Sequence, residues 1–178
     1  RRISEIARQR FQILDVLPLV KPSRRCLNPY QPVGLIVSQI PAMEQLGYEA
    51  EKQTDVEYFS AGSVMLGMAQ TFAAKEQRAT FKMLDHIDMI TSTNAAYSKT
   101  LEQRALAIVR STKMQYLASL EDERGRNDVY ILKQGDIVEE VIIITHGNSG
   151  GIGIVAMSGT IPIERLGELS KLSPPSKK

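Results

Sequence analysis

The chain has 178 residues, of which 43% are hydrophobic and 24% are charged, so it can bury one hydrophobic core and is not disordered as a whole. Its formal net charge of +2 gives too weak a field for nucleic-acid binding, which requires a concentrated basic patch. The single cysteine, Cys26, excludes an intramolecular disulfide framework and a zinc site built of thiolates. No apolar run approaches the roughly 18 residues that a transmembrane helix needs.

The first 55 residues form a basic, proline-rich extension. Residues 1–20 place apolar side chains at near-helical spacing among arginines, which predicts a basic helix that ends at Pro18. Such a helix can be a membrane-surface or targeting element, but an ordinary surface helix is the favoured interpretation. The prolines between Pro18 and Pro41 disfavour regular structure, although residues 34–40 alternate as an edge strand would. Because the sequence opens without a methionine or an apolar signal core, we expect a leader to have been removed or left out.

Residues 56–172 carry strand and helix patterns of a single domain, followed by a solvated tail from 173 to 178. Asn94 provides an N-cap before an amphipathic stretch, and the charged, glycine-containing turn at 122–128 is typical of antiparallel strand connections. The predicted elements, in chain order, are strand 56–59, helix 60–74 continuing with a break to 84, strand 86–91, a helix after Asn94, strands 114–120, 129–132, 138–145 and 152–158, and helix 161–172.

Four consecutive strands after the central helix predict a meander. Because strands and helices are segregated rather than strictly alternating, the sequence predicts an α+β fold of two layers, with an antiparallel or mixed sheet and helices packed on one face. The methionines of the helical region are interpreted as core filling rather than metal ligands, since no histidine or cysteine cluster accompanies them. These methionines are Met65, Met68, Met83 and Met89.

The segment Gly147–Gly151 (GNSGG) resembles the Gly-Asp-Ser-Gly-Gly box of chymotrypsin-like proteases, in which backbone amides surround a nucleophilic serine. This resemblance suggests a hydrolase that uses Ser149 with His146, His86 or a glutamate as base. A polar hairpin loop, whose glycines permit positive φ, is the favoured alternative, since asparagine replaces the aspartate. A phosphate-binding loop is disfavoured, because no Lys-Ser/Thr pair and no helix follow.

No other set of residues predicts a metal, a cofactor or a catalytic pair. Glu139 and Glu140 are adjacent on a strand, so they point to opposite faces, and one of them is expected to face the covered side of the sheet. Basic residues of the central helix are not interleaved with aromatic residues, which disfavours nucleic-acid binding. The histidines and their acidic neighbours match no standard metal-ligand spacing; they are His86, His146, Asp85 and Asp88.

Seven segments of the domain carry a resemblance to a known family: 57–60 (EYFS), 64–66 (VML), 86–90 (HIDMI), 128–132 (DVYIL), 137–143 (IVEEVII), 155–161 (VAMSGTI) and 166–169. They resemble the family catalogued as domain of unknown function 4252, which consists of small exported proteins, many of them lipoproteins, of Bacteroidetes-like bacteria. The resemblance covers about two thirds of the chain and implies an α+β fold and a cell-envelope location. The family has no established reaction, so no catalytic residue is carried over.

The chain departs from this family at its N-terminus, where residues 1–55 are unlike the usual short lead-in. Arg24 and Arg25, which precede Cys26, do not resemble a lipidation box, so membrane attachment would need a leader or anchor outside this sequence.

The leading hypothesis is a non-catalytic cell-envelope protein that binds a protein or small ligand, because no convergent polar set predicts catalysis. The alternatives are the hydrolase at Gly147–Gly151 and a regulatory module that senses the state of the envelope. A cytoplasmic location is the alternative to the envelope. An exposed edge strand would support dimerisation, but the sequence does not indicate which strand is the edge.

Overall fold

The computed structural model describes residues 40–73, 75–122 and 125–169, which form one antiparallel sheet with helices around it. The elements, numbered in chain order, are α1 (Ile40–Ala50), β1 (Val56–Gly62), α2 (Ser63–Phe72), α3 (Lys75–Phe81), β2 (Leu84–Ser92), α4 (Ala95–Ser111), β3 (Gln115–Asp122), β4 (Gly125–Gln134), β5 (Ile137–Gly147), β6 (Ile152–Pro162), a 3-10 turn (Ile163–Arg165) and α5 (Leu166–Leu169).

The sheet has six strands in the order β1-β2-β6-β5-β4-β3, and every neighbouring pair is antiparallel. Strands β3 to β6 follow one another as the predicted meander, and β6 returns to lie beside β2. The edges of the sheet are therefore β1 and β3. The α+β class and the antiparallel sheet are confirmed.

Local sequence signals account for the boundaries of several elements. The Asn94 side chain accepts hydrogen bonds from the amides of Ala96 and Tyr97, each at 3.1 Å, which confirms the predicted N-cap of α4. The predicted helix over residues 60–84 is divided into α2 and α3, because Ala73 adopts an extended backbone at the end of α2. Gly135 has a φ of 61° in the turn between β4 and β5, a conformation that glycine adopts without strain.

Both faces of the sheet are buried. On one face, here called the α1/α4 face, apolar residues of these two helices pack on Ile90, Ile144 and Ile154. On the opposite α2/α3 face, residues of α2, α3 and α5 pack on sheet residues such as Ile87 and Val141. The helical core residues are Met43, Leu46, Ala50, Leu101, Ala105 and Val109 on the first face and Leu66, Phe81 and Leu169 on the second.

This arrangement differs from the predicted packing of helices on one face. The reason lies in the central strands, where β5 and β6 carry continuous apolar runs at 141–144 and 152–157 rather than a simple alternation. A strand that is apolar on both sides needs cover on both sides, which the short helices α2 and α3 provide on the second face.

The folded unit also begins earlier than the predicted boundary at residue 56. Met43, Leu46 and Ala50 of α1 are buried against the sheet and α4, so this helix is part of the core rather than of an extension. Their spacing of three and four residues is a helical signal that the neighbouring proline, Pro41, obscured.

The methionines are divided between core and surface. Met83 and Met89 are buried as predicted, and Met65 packs partly against the core. Met68 is 49% exposed, so its assignment to the core is wrong. It lies on the side of α2 that faces away from the sheet. The predicted basic helix at 1–20, Cys26 and the tail at 173–178 lie outside the described residues. So does the predicted edge strand at 34–40 except for its last residue, Ile40, which begins α1.

Candidate functional site

A group of polar side chains lies on the α1/α4 face where β1 and β2 pair. The register places Ser60 opposite Asp88 and Gly62 opposite His86. Because side chains along a strand alternate between faces, Tyr58 and Ser60 point to the same side of the sheet as His86 and Asp88. Tyr58, Ser60, His86 and Asp88 are called the Asp88 cluster below.

Asp88 is the centre of this cluster. The Tyr58 hydroxyl donates a hydrogen bond to Asp88 Oδ1 at 2.8 Å, and His86 Nε2 lies 3.2 Å from the same oxygen. Ser60 Oγ lies 3.1 Å from His86 Nε2. Asp88 is only 1% exposed, and its Oδ2 has no hydrogen-bond partner among the described residues. A buried carboxylate depends strongly on the few donors it has, so the cluster links the two strands through Asp88.

Helix α1 covers the Asp88 cluster. The ring of Tyr58 lies directly beneath Gly47, and a Cβ atom at residue 47 would clash with it. Tyr48 of the same helix meets Tyr58 edge to face, with ring centroids 5.1 Å apart and an interplanar angle of 70°. A glycine in the middle of α1 thus gives the Tyr58 ring the space from which its hydroxyl reaches Asp88.

The cluster shifts the titration of two of its members. The hydrogen bond to Asp88 raises the pKa of His86 above its usual 6.5, and the nearby charges of Asp88 and Glu44 act in the same direction, against the effect of burial. Burial raises the pKa of the Tyr58 hydroxyl, and its hydrogen bond to Asp88 adds to that effect. The site therefore favours a protonated imidazole next to a carboxylate, with the phenol kept neutral.

Ser60, His86 and Asp88 include the three residue types of a nucleophilic triad, but their geometry differs from one. In a triad, the histidine contacts the serine with one ring nitrogen and the carboxylate with the other. Here His86 Nε2 contacts both, at 3.1 Å from Ser60 Oγ and 3.2 Å from Asp88 Oδ1. To accept a hydrogen bond from Ser60, Nε2 would have to be unprotonated, and its lone pair would then lie against the Asp88 carboxylate. The arrangement therefore does not activate Ser60 as a nucleophile.

A second polar group lies towards the other edge of the same face. Ser119 donates to Asp128 Oδ1 at 2.7 Å, and Arg126 Nε donates to Asp128 Oδ2 at 3.1 Å. His146 Nε2 lies 3.1 Å from Asp128 Oδ2, and its Nδ1 lies 3.9 Å from Glu102 Oε1 on α4. These five residues are called the Asp128 cluster.

The Asp128 cluster is better satisfied and more exposed than the Asp88 cluster. Burial alone would raise the pKa of Asp128, but the hydrogen bond from Ser119 and the charges of Arg126 and His146 together lower it. Arg126 has 51% of its side chain exposed, and both Asp128 oxygens have partners. A carboxylate held in this way stays ionised and binds its neighbours rather than donating a proton.

The segment Gly147–Gly151 forms the turn between β5 and β6. The Gly147 amide donates to the Gly151 carbonyl and the Gly150 amide to the Gly147 carbonyl, each at 2.9 Å, and Gly150 has a φ of 81°. These amides are used within the turn, so they are not free to bind an oxyanion. Ser149 is exposed, and the ring of His146 contacts Asp128 and Glu102 instead. The favoured interpretation as a polar hairpin loop is confirmed.

The acidic residues considered for metal binding are dispersed. Asp85 is exposed while Asp88 is buried, and Glu140 is buried at 7% exposure while Glu139 is half-buried. Because both faces of the sheet are covered, no single covered side exists for the two glutamates, and Glu140 is simply the more buried of them. Within the ranges that the structure describes, no group of three or more His, Cys, Asp or Glu side chains is placed to hold a metal ion.

Sequence reasoning considered the two histidines and Asp88 but did not connect them with Tyr58, Ser60, Ser119 or Asp128. A signal was present in HIDMI, where two polar residues two positions apart share one face of an otherwise apolar strand. Their partners lie on neighbouring strands, and pairing registers are not readable from one sequence.

Helix α2 exposes three large apolar side chains to solvent. Val64, Met68 and Phe72 are 76%, 49% and 78% exposed. They recur every four residues, so they share the side of the helix opposite to Leu66 and Ala69, which are buried. These three residues are called the apolar stripe. Solvent-facing apolar residues grouped on one element are typical of interaction sites.

The family model for the Domain of unknown function (DUF4252) matches residues 48–169, well over half of the chain. The match begins within α1 and ends at the last residue of α5. No curated protein and no solved structure matches the chain. Among the helices of the described residues, none combines the length and the hydropathy needed to cross a membrane.

Proposed function

The chain belongs to the DUF4252 family, and from this premise we propose that it is a non-catalytic binding or structural protein of the cell envelope. The envelope location comes from the likeness to the small exported proteins of this family. The non-catalytic role is supported by the shared Nε2 contact in the Asp88 cluster and by the use of the loop amides within the turn at Gly147–Gly151.

The observation that carries the binding role is the apolar stripe on α2. Leaving a side chain such as Phe72 in water forgoes about 1.5–3 kcal/mol of burial free energy. The stripe runs along successive turns of α2, so it suits a partner protein that packs an apolar surface along this helix. It lies on the α2/α3 side of the sheet, away from both polar clusters.

Cell fractionation of the native host tests the location. Recovery of the full-length protein with the periplasm or the membranes is expected. Recovery in the cytosol would contradict the envelope assignment and would favour the cytoplasmic alternative.

Photo-crosslinking in the same host tests the binding role. A photoreactive residue at position 68 should give one discrete crosslinked product, whereas the same residue at Lys99, an exposed polar position on α4, should give none. Phe72→Glu should abolish the product from position 68 without lowering the amount of folded protein. Equal crosslinking from positions 68 and 99 would contradict a specific surface on α2.

Labelling with a fluorophosphonate tests the hydrolase alternative. The intact protein should not be labelled, because neither Ser60 nor Ser149 lies in a geometry that would activate it. Labelling that disappears in Ser149→Ala or in Ser60→Ala, with an unchanged melting temperature, would overturn the non-catalytic assignment.

A further inference from the structure

The outer side of β3 is an open edge of the sheet. In the part of the chain that the structure describes, β3 pairs with β4 on one side and no strand pairs with it on the other. Its extensive contacts are with β4 alone. The other edge strand, β1, has α1 packed on one face and α2 on the other. Of the two edges, β3 is therefore the one on which no helix of the described residues packs extensively.

The sequence of β3 lacks most of the features that protect edge strands. Natural proteins place lysine or proline on exposed edges, and Gln115–Asp122 contains neither. Tyr116, Leu117 and Leu120 are instead 56%, 46% and 61% exposed. The only irregularity is a bulge in the pairing between Tyr116 and Ala118. None of its eight residues is a proline or carries a positive charge, and its two acids, Glu121 and Asp122, are confined to its end.

The charges at the ends of β3 indicate which strand would fit. Lys113 precedes the strand, while Glu121 and Asp122 end it. In an antiparallel pair of two β3 strands, the start of each lies beside the end of the other, so Lys113 of one copy approaches the acidic end of its partner. A parallel pair would place like charges together. The strand is thus complementary to itself in the antiparallel orientation.

We propose that two copies of this chain pair through β3, antiparallel and about a twofold axis, so that their sheets join into one continuous sheet. The same surface serves on both subunits, as a twofold interface requires. The new ladder satisfies the outward amides and carbonyls of both edges, and Leu117 and Leu120 gain contacts across the junction. This interface is separate from the apolar stripe on α2.

The first test is the mass of the full-length protein in solution over a concentration series, by analytical ultracentrifugation. A reversible monomer–dimer equilibrium is expected. The variant Leu117→Lys/Leu120→Lys should weaken the dimer at least about tenfold, because lysine on an edge strand opposes pairing. Val64→Lys is the control, since it places lysine at an even more exposed apolar position away from β3, on α2, and it should leave the dimer equilibrium unchanged.

A charge exchange tests the orientation. Lys113→Glu or Glu121→Lys alone should weaken the dimer by about twofold to fivefold for each exposed charge pair that is lost. The double variant should restore the wild-type equilibrium, because the opposite charges meet again. Weakening in the double variant equal to the sum of the two single effects would overturn the antiparallel arrangement.

Hydrogen exchange at two protein concentrations shows whether a second copy or another segment of the same chain covers the β3 edge. In the proposed dimer, the amides of β3 become more protected as the concentration rises. Protection that is independent of concentration in a monomeric protein would show that another part of the same chain covers β3. Dimerisation that survives Leu117→Lys/Leu120→Lys and is lost in Val64→Lys would assign the interface to the apolar stripe. Either result overturns the proposal, and neither bears on the non-catalytic role.

Discussion

The β1 half and the β3 half of the sheet differ in how much the helices cover them and in how deeply their polar clusters are buried. At the β1 edge, α1 and α2 cover both faces, and the Asp88 cluster is buried beneath α1 with one carboxylate oxygen unpartnered among the described residues. At the β3 edge, none of the described helices packs extensively on the strand, and the Asp128 cluster is partly exposed with both carboxylate oxygens bonded. The β1 half is therefore the more deeply buried part of the sheet, and we expect it to contribute more to the free energy of unfolding. The β3 half is the more exposed to solvent.

The difference follows from where the helices attach. Both α1 and α4 pack against β2 and β6, so the centre of the α1/α4 face shifts towards the β1 side of the sheet. Burial strengthens each polar interaction near β1 and also increases the penalty for a missing partner. Towards β3, solvent screens the ion pairs and replaces lost partners. The same substitution should therefore have unequal effects in the two halves.

The largest expected effect comes from truncating a leucine in each half. Leu46→Ala removes a side chain that is 1% exposed, on the side of α1 that packs against the sheet, and should lower the free energy of unfolding by about 2–5 kcal/mol. Leu120→Ala removes the same atoms from a side chain that is 61% exposed on β3 and should change it by no more than about 0.5 kcal/mol. Urea denaturation at a low protein concentration, where the proposed dimer is dissociated, measures both. Equal losses would show that β3 is as well packed as α1.

A smaller effect is expected from adding one methyl group to a helical glycine. Gly47→Ala forces its Cβ against the Tyr58 ring, which is held by Asp88, and should destabilise the protein by about 1–3 kcal/mol. Gly67→Ala, in the exposed part of α2, meets no atom within 4 Å and should stabilise it by about 0.5–1 kcal/mol. Thermal unfolding followed by circular dichroism gives the sign of each change. A stabilising Gly47→Ala would mean that α1 does not press on Tyr58.

Much of this fold was predictable because its signals are local. The cap at Asn94, the break near Ala73 and the turn at Gly147–Gly151 each depend on residues that are close in sequence. Helix α1 was missed because Pro41 suggested irregular structure, although proline is tolerated in the first turn of a helix. The helices on the second face were expected on the first, since apolar strands do not reveal on which side each helix packs.

The polar clusters were not predictable for a different reason. Each depends on the pairing register of neighbouring strands, which brings Ser60 opposite Asp88 and Ser119 opposite Asp128. A shift of one residue would turn either partner to the other face. The sequence singled out His146 for its position beside Gly147, whereas the structure directs its ring to Asp128 across the strand pair.

The smallest expected effect concerns pH and the two histidines. The pKa of His86 is raised above 6.5 in the folded protein by its hydrogen bond to Asp88, so the folded state binds the proton more tightly than the unfolded chain does. This contribution to stability is fully present below about pH 6.5 and is lost as the pH rises through the higher folded-state pKa. The free energy of unfolding, measured by denaturant titration from pH 5.5 to 8.5, should therefore decline over the upper part of this range.

His86→Gln should remove that decline, because the glutamine amide does not titrate. His146→Gln is the matched control: it also removes one of the two histidines but leaves the contact between His86 and Asp88 intact, so the decline should remain. Tyr58 and Glu44 also lie near His86, and neither is altered by the exchange. A decline that persists in His86→Gln and disappears in His146→Gln would contradict this prediction. The pH-dependent interaction would then lie in the β3 half of the sheet and not in the buried β1 half.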